Sequence, residues 1–436
     1  MLILRSSRLI DGNGGDVIRD AAVLIDGQRI KQVGTATEIA AAAAPGSEIV
    51  DMGSCTLMPG LIDCHMHIEA FNILTTDNYR VATFEVTPQL QMLQALLNAQ
   101  ICFEMGLTTL RSQGWIGYTG QLTAEALAIR DAIEHGFVAG PRLLVSGWAA
   151  VTGGHLDLIL PGNAPRPAGT VADGPWELRK QVRANLRMGC DWTKTCASGG
   201  GGTDKEQPGV RNMTQEELKA VVEESHYAHK PVTCHCFTPE SQKMAIRAGV
   251  DTLEHAVFTD DEALAMIVGE GKPVVPTLAH RTDRAIDVRR RTGTSEFTLN
   301  KMRALQSHTK ETFQRMHQAG VKMAMGTDTQ LDPEMGSQAI ELEVYVDYGM
   351  TPMEAIQTAT KSAAEALFLE KDTGTLEAGK FADIIAVEGD PLADIRVLQQ
   401  RDRIRLVMKE GRVYVNKRSG HEKHVIHDQS WSWKRL

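Results

Sequence analysis

The 436-residue chain lacks any uninterrupted apolar run of about eighteen residues, which argues against a membrane-spanning helix. It also lacks a basic surplus: 46 Lys and Arg face 55 Asp and Glu, a formal net charge of −9. A nucleic-acid surface needs a basic stripe, so neither nucleic acid nor membrane is an expected partner. With 42% hydrophobic and 23% charged residues the composition is that of an ordinary globular protein, which excludes disorder as the main state. The short apolar start at Met1–Leu4 is interrupted by charge at once, unlike a secretory signal. Cysteine is sparse and odd in number: Cys55, Cys64, Cys102, Cys190, Cys196, Cys234 and Cys236, mostly within apolar strand-like segments. That pattern reads as reduced, buried thiols, and a cytoplasmic location is expected.

What is present divides into three parts. Short β-prone runs at Leu2–Leu4, Ala22–Ile25 and Ile30–Val33 are separated by Gly-rich turns, and Ala382–Val387, Ile404–Met408 and Gly411–Val415 repeat the style at the far end. Residues 1–56 and 371–416 are therefore expected to form one discontinuous β-sandwich domain. Between them, residues 57–370 alternate apolar strands with amphipathic helices. The strand candidates are Gly60–His67, Leu107–Arg111, Arg142–Ser146, Asp191–Cys196, Pro231–Phe237, Thr252–His255, Pro273–Leu278 and Lys322–Gly326. Helices are expected over Thr214–His229, Pro239–Ala248, Asp261–Gly269 and Pro352–Ala366. Eight alternating strands are the number that closes a (β/α)8 barrel, with a doubly wound open sheet as the competing arrangement. Residues 417–436, with His421, His424, His427, Trp431 and Trp433, read as a folded-back tail or a subunit-contact arm.

The chemistry is carried by strand ends. In the run Met58–His67 an apolar strand ends in His65-Met66-His67, and period-two alternation puts both imidazoles on one face. Two ordinary histidines would read the same way, so the other strand ends matter. Lys194 ends the fourth strand, His235 the fifth and His255 the sixth, while Asp328 follows the eighth. Cys234 and Cys236 flank His235 on the opposite face, which disfavours a thiolate site. In a barrel all these ends lie at the rim where active sites sit.

Those residues resemble the amidohydrolase superfamily, and the run Gly374–Ile384 resembles the segment common near the C-terminus of such enzymes. Within it the sequence looks like the branch of imidazolonepropionase-like proteins and Xaa-Pro or Xaa-Arg dipeptidases, near phenylurea and thiocarbamate herbicide hydrolases. Thr152–His155 and the Lys194 segment carry that closer likeness. The resemblance implies two divalent metal ions, zinc by default with cobalt or manganese also suited. It implies His65, His67 and Asp328 on one ion and His235 and His255 on the other. Lys194 would be carboxylated by carbon dioxide to a bridging carbamate. Asp328 would also take a proton from the attacking water and pass it to the departing nitrogen.

Substrate residues are expected around this rim: His155 after strand three, Gln113 and Tyr118 after strand two, Phe237, and His280 with Arg281 after strand seven. His155 is also expected to assist catalysis. Dipeptidase relatives often carry His or Tyr where this chain has Phe237, and a phenyl ring encloses apolar groups but cannot bind a carboxylate. The expected reaction is therefore hydrolysis of a C–N bond in a neutral, hydrophobic amide, urea or (thio)carbamate. A dipeptidase or N-acyl amino acid hydrolase is the alternative, since Arg281 could clamp a carboxylate. A non-catalytic scaffold has no reason to keep all six ligands. A mononuclear deaminase would need a proton-shuttling glutamate soon after His235, where only Glu240 stands five positions on. Gly199–Gly202 lacks the Gly-Lys-Ser/Thr of a phosphate loop and reads as a mobile loop over the mouth. A homo-oligomer acting on a small molecule is expected.

Overall fold

The computed structural model describes residues 1–71, 78–117, 120–164, 166–167, 169–330 and 335–426. Tyr118, His427, Trp431 and Trp433 lie outside these residues.

Seven parallel strands form a sheet in sequence order: Leu61–Met66, Leu107–Ser112, Arg142–Trp148, Trp192–Cys196, Val232–Cys236, Thr252–His255 and Val274–Val275. The stretch 322–329 fills the eighth place through parallel bridges Val274↔Met323 and Met66↔Thr329. Ala324 N–H donates to Val274 O (3.0 Å) and Cys64 N–H to Met325 O (2.9 Å), so the ring closes. All residues of the first, second, fourth and fifth strands are buried on both faces, as a helix-covered parallel sheet requires. All seven cysteines are buried and free; Cys234 and Cys236 join the apolar core outside the barrel interior.

Two expected elements differ in a way that the backbone explains. The seventh strand shrinks to Val274–Val275 because Pro276 has no N–H to pair, and the chain then turns through Ala279–Arg281. The expected helix Pro352–Ala366 splits into Pro352–Thr358 and Lys361–Ala366. Its carbonyls at Thr358 and Ala359 accept instead from Met325 N–H and Ile62 N–H of the barrel (both 2.8 Å), so the helical ladder is interrupted. The other expected helices appear as Gln215–Tyr227, Pro239–Ala248 and Asp261–Gly269. Thr214 caps the first of these in a reciprocal box with Glu217.

Strands from both termini form one eight-stranded sheet. Thr56–Pro59 joins its halves, pairing parallel with Leu2–Leu9 and antiparallel with Ile384–Val387. The sheet curls back on itself through the bridge Arg29↔Phe381. Alternation decides what each face covers: Ile384, Ala386, Leu406 and Met408 pack with Leu4, Val23 and Ile25, whereas Ile385, Val387 and Val407 pack on the barrel core.

Up to Ile426 the tail folds back on its own chain. Glu104, fully buried at the end of helix Pro88–Glu104, accepts from Val425 N–H (2.8 Å) and Ile426 N–H (2.9 Å). Glu104→Ala would strand both donors, at about 1–3 kcal/mol for each that stays buried. The expected result is a lowered thermal midpoint with faster proteolysis of the tail; an unchanged midpoint and cleavage rate would show that the anchor adds nothing.

Candidate metal centre

At the C-terminal mouth of the barrel the first strand presents His65 and His67. His65 Nδ1 lies 2.5 Å from Glu254 Oε2, and His67 Nδ1 is hydrogen-bonded to the Gly114 carbonyl. With those nitrogens occupied, each Nε2 faces Asp328 Oδ1, at 3.5 Å from His65 and 3.0 Å from His67. Gly326 makes this approach possible: a Cβ there would meet Val275 Cγ1 at 2.3 Å and His65 Cβ at 2.8 Å.

Glu254 is the fixed anion beneath the site. It also accepts from Arg111 (2.8 Å) and from the hydroxyls of Thr252 and Thr233. Burial alone would push its carboxyl up, but Arg111 and His65 hold it well below the usual carboxylate range. Strict strand alternation would turn Glu254 away from the side where His255 points, yet both face inward. His255 and Ala256 have positive φ (71° and 45°), which breaks the alternation. Thr277 (53°) and Asp328 (54°) share this left-handed backbone, a strain that gathers at functional sites.

His255 Nδ1 is paired with Thr277 Oγ1 at 2.7 Å, and His235 Nε2 with Gly199 O at 3.1 Å. His235 Nδ1 is buried and has no hydrogen-bond partner among the described residues. The His235 and His255 ring centroids lie 4.6 Å apart, and His255 is 4.9 Å from His65. Burial, with the Lys194 charge adding, lowers His65 to about 4. Burial likewise drives His235 and His255 well down, so these imidazoles are neutral and offer lone pairs. Burial would raise the Asp328 carboxyl, yet its polar surroundings, His67 Nε2 among them, hold it well below the usual carboxylate range. One ligand atom each from His65, His255 and Asp328 fall within 4.8 Å of one another. Lys194, 2% exposed, stands among these histidines with no ion-pair partner among the described residues.

This donor set fits divalent cations. Three of the histidines have the nitrogen remote from Asp328 or the cavity pinned by a carboxylate, carbonyl or hydroxyl, as a ligating imidazole needs, and His235 has an orphaned nitrogen.

The cavity beside the centre is lined by His65, His67, Lys194, His255 and Asp328, with an apolar wall of Trp115, Leu156, Leu158, Ile159, Leu160 and Pro161. Arg289 and Lys205 add positive charge to the lining, and His155 and Glu206 share it. Of the expected substrate residues, His155 reaches this cavity, and His280 Nε2 stands 3.5 Å from Asp328 Oδ2. Phe237, Arg281 and Gln113 lie outside the lining. Phe237 stacks on His235 (centroids 4.5 Å, 19°) and packs with Val257 and Leu305. Arg281 lies over the Phe237 ring at 5.1 Å and donates to Thr277 O. Gln113 accepts from Arg111 Nε (3.0 Å) and donates to Ser146, so it steadies Arg111 within the barrel. Ser112 donates to Glu69 Oε2 (2.6 Å).

Sequence reasoning missed Glu254, Glu206, Arg289 and the part of the apolar wall from Leu156 to Pro161. Glu254 directly precedes a ligand candidate and could have been flagged as a buried charge; the wall comes from an aperiodic loop and carries no such signal.

A metal-competent centre at the mouth of a barrel, with a β-sheet built from both termini, defines a class of barrel hydrolases. The amidohydrolase family model matches residues 56–414, and the chain belongs to that family as an enzyme hydrolysing carbon–nitrogen bonds. An ochratoxinase from Aspergillus niger is 31% identical over 434 residues, covering 94% of this chain and 86% of that protein. The solved structure of an Xaa-Pro dipeptidase with methionine bound in its active site matches with a TM-score of 0.84 at 31% identity, over 95% of this chain and 99% of that one. Phenylurea hydrolase B, at 22% identity and a TM-score of 0.73 over 95% of this chain and 97% of that one, shares the fold.

Proposed function

We propose that the enzyme hydrolyses the C–N bond of N-acyl amino acids or dipeptides bearing hydrophobic groups, with two divalent ions at the mouth. The observation that carries this is the convergence of His65, His255 and Asp328 beside a cavity with an apolar wall, the rest of whose lining sets Arg289 and Lys205 beside Asp204 and Glu206. His65, His67 and Asp328 would hold one ion, His235 and His255 the other, and a carboxylated Lys194 would serve both. When bound, such ions lower the pKa of water and polarise a carbonyl.

The protein's own groups do the rest. Asp328 accepts the proton of the attacking water and delivers it to the departing nitrogen, which would otherwise leave as an unstable anion. His155, on the cavity, hydrogen-bonds the scissile carbonyl. The apolar wall takes the hydrophobic substituent and excludes water from it.

The expectation of a neutral substrate rested on Phe237 lining the cavity, and that ring is instead buried against His235. Arg289 in the lining favours a carboxylate, and the methionine-bound dipeptidase agrees with it. The neutral urea or thiocarbamate reading keeps only a likeness of fold. Glu240 is exposed in the first turn of Pro239–Ala248, which leaves the deaminase reading without its shuttle.

The test is a panel of N-acyl amino acids and dipeptides, their methyl esters at the carboxylate, and N-aryl ureas and thiocarbamates, assayed with zinc-, cobalt- or manganese-loaded enzyme. Free acids with large apolar groups should be hydrolysed at least tenfold better than their esters, a charge-assisted contact being worth about 1.5–3 kcal/mol. Faster turnover of the ureas or thiocarbamates would overturn the reading.

A further inference from the structure

The turn after the seventh strand is clamped from a helix that follows the eighth. Leu278 and Ala279 donate their N–H groups to the side chain of Glu341, one to each carboxyl oxygen (2.7 and 2.6 Å), in the first turn of helix Ile340–Asp347. Glu341 is fully buried and lies outside the cavity lining. The turn is also tied within itself and to a second helix: Arg281 donates to Thr277 O (2.8 Å), and Gln306, on helix Glu296–Gln318, donates to Arg281 O (2.7 Å).

Held by this clamp is Thr277, a β-branched residue with φ 53°. Such a residue is an outlier in left-handed backbone, and it keeps that conformation only where its surroundings over-determine it. Its hydroxyl carries the effect to the centre. Thr277 Oγ1 lies 2.7 Å from Pro276 O and 2.7 Å from His255 Nδ1. A carbonyl can only accept, so the hydroxyl proton goes to Pro276 O and the oxygen turns a lone pair to the ring. His255 therefore carries a proton on Nδ1, and a neutral imidazole of that form has its lone pair on Nε2.

We infer that Glu341 and Thr277 act in series as positioning residues: Glu341 holds the turn, and the Thr277 hydroxyl so placed fixes the His255 tautomer whose Nε2 can take a metal ion. Neither residue lines the cavity. This inference rests on the proposed reading of His255 as a metal ligand.

The experiment combines long-range 15N–1H spectra of metal-free, histidine-labelled protein, with His255→Gln to assign the ring, and zinc titration against a chromophoric chelator. His255 should carry its proton on Nδ1 in the wild type. Thr277→Val keeps the shape without the hydroxyl, and Glu341→Gln leaves one acceptor oxygen for two N–H groups. Both should lose the tautomer preference and hold the zinc at His255 about 10–100-fold less tightly, in the range of orienting partners. Thr277→Ser should keep the tautomer and an affinity within about threefold of the wild type. Because the two residues act in series, the double variant should fall within about twofold of the weaker single one. If Glu341→Gln does not fold, Glu341→Asp, which keeps both oxygens but withdraws them by one methylene, carries the same expectation. A retained Nδ1 tautomer in Thr277→Val or in the folded Glu341 variant, or losses that multiply in the double variant, would overturn the inference. Wild-type protein that takes up no zinc would count against His255 as a ligand, while the spectra still decide whether Glu341 and Thr277 set its tautomer.

Discussion

Asp328→Asn is expected to fold normally, keep its neighbours and lose about three orders of magnitude in single-turnover hydrolysis. The size follows from the role, since a positioned acid–base group contributes about 10²–10⁴. Asparagine has the shape of aspartate, so the Gln330 Nε2 donor (3.0 Å) keeps an oxygen acceptor at Oδ1. The left-handed backbone at 328 (φ 54°) also suits asparagine, one of the few non-glycine residues at ease there. What disappears is the negative charge, and with it a base able to take a proton from water. Metal analysis on the same preparation separates the two tasks of this residue. A near-normal rate with full metal would remove Asp328 from the proton path, while a lost ion with the rate restored at high metal would leave it as a ligand alone.

The barrel was readable because each strand is a short apolar run at a regular spacing, and the donors were readable because they end those runs. Alternation gives the face of a strand but not the depth at which a side chain stops. Phe237 shares its face with His235, as period two requires, and then lies flat on that ring instead of reaching the cavity. Glu254 was hidden because left-handed backbone at His255 and Ala256 suspends alternation, and no residue type in Thr252–Ala256 announces that. Glu206 was hidden by distance: it lies 51 residues from His155, in a loop whose glycines read as mobility. Those glycines are there for close approach, since a Cβ at Gly199 would meet the Gln207 carbonyl at 2.3 Å. The apolar wall at 156–161 comes from turns with no period to detect.

Lys194→Met should separate stability from function in opposite directions. As an ammonium, Lys194 would be a buried charge beside neutral imidazoles with no ion-pair partner among the described residues, which is costly in a low-dielectric interior. Methionine fills nearly the same volume without that charge, so the metal-free variant should unfold at an equal or higher temperature than the metal-free wild type. With metal the order should reverse. A carbamate on Lys194 would bring a negative charge and two oxygen donors to a centre otherwise built from neutral imidazoles and Asp328. Without it, the variant should hold one equivalent of metal or less and lose hydrolysis by at least about a hundredfold, the upper end for a lost orienting partner and a lower bound for a lost ligand. Lys194→Arg should fail equally, because guanidinium stays protonated and cannot take up carbon dioxide. Short carboxylates such as formate or acetate should restore part of the metal uptake in a small-residue variant, Lys194→Ala, where space is freed for them. Wild-type enzyme loaded in 13C-bicarbonate should show a carbamate carbon that Lys194→Met lacks. Two tightly held ions and a rate within tenfold of wild type in Lys194→Met would mean that the lysine bridges nothing, and the centre would have to be assembled from His65, His67, His235, His255 and Asp328 alone.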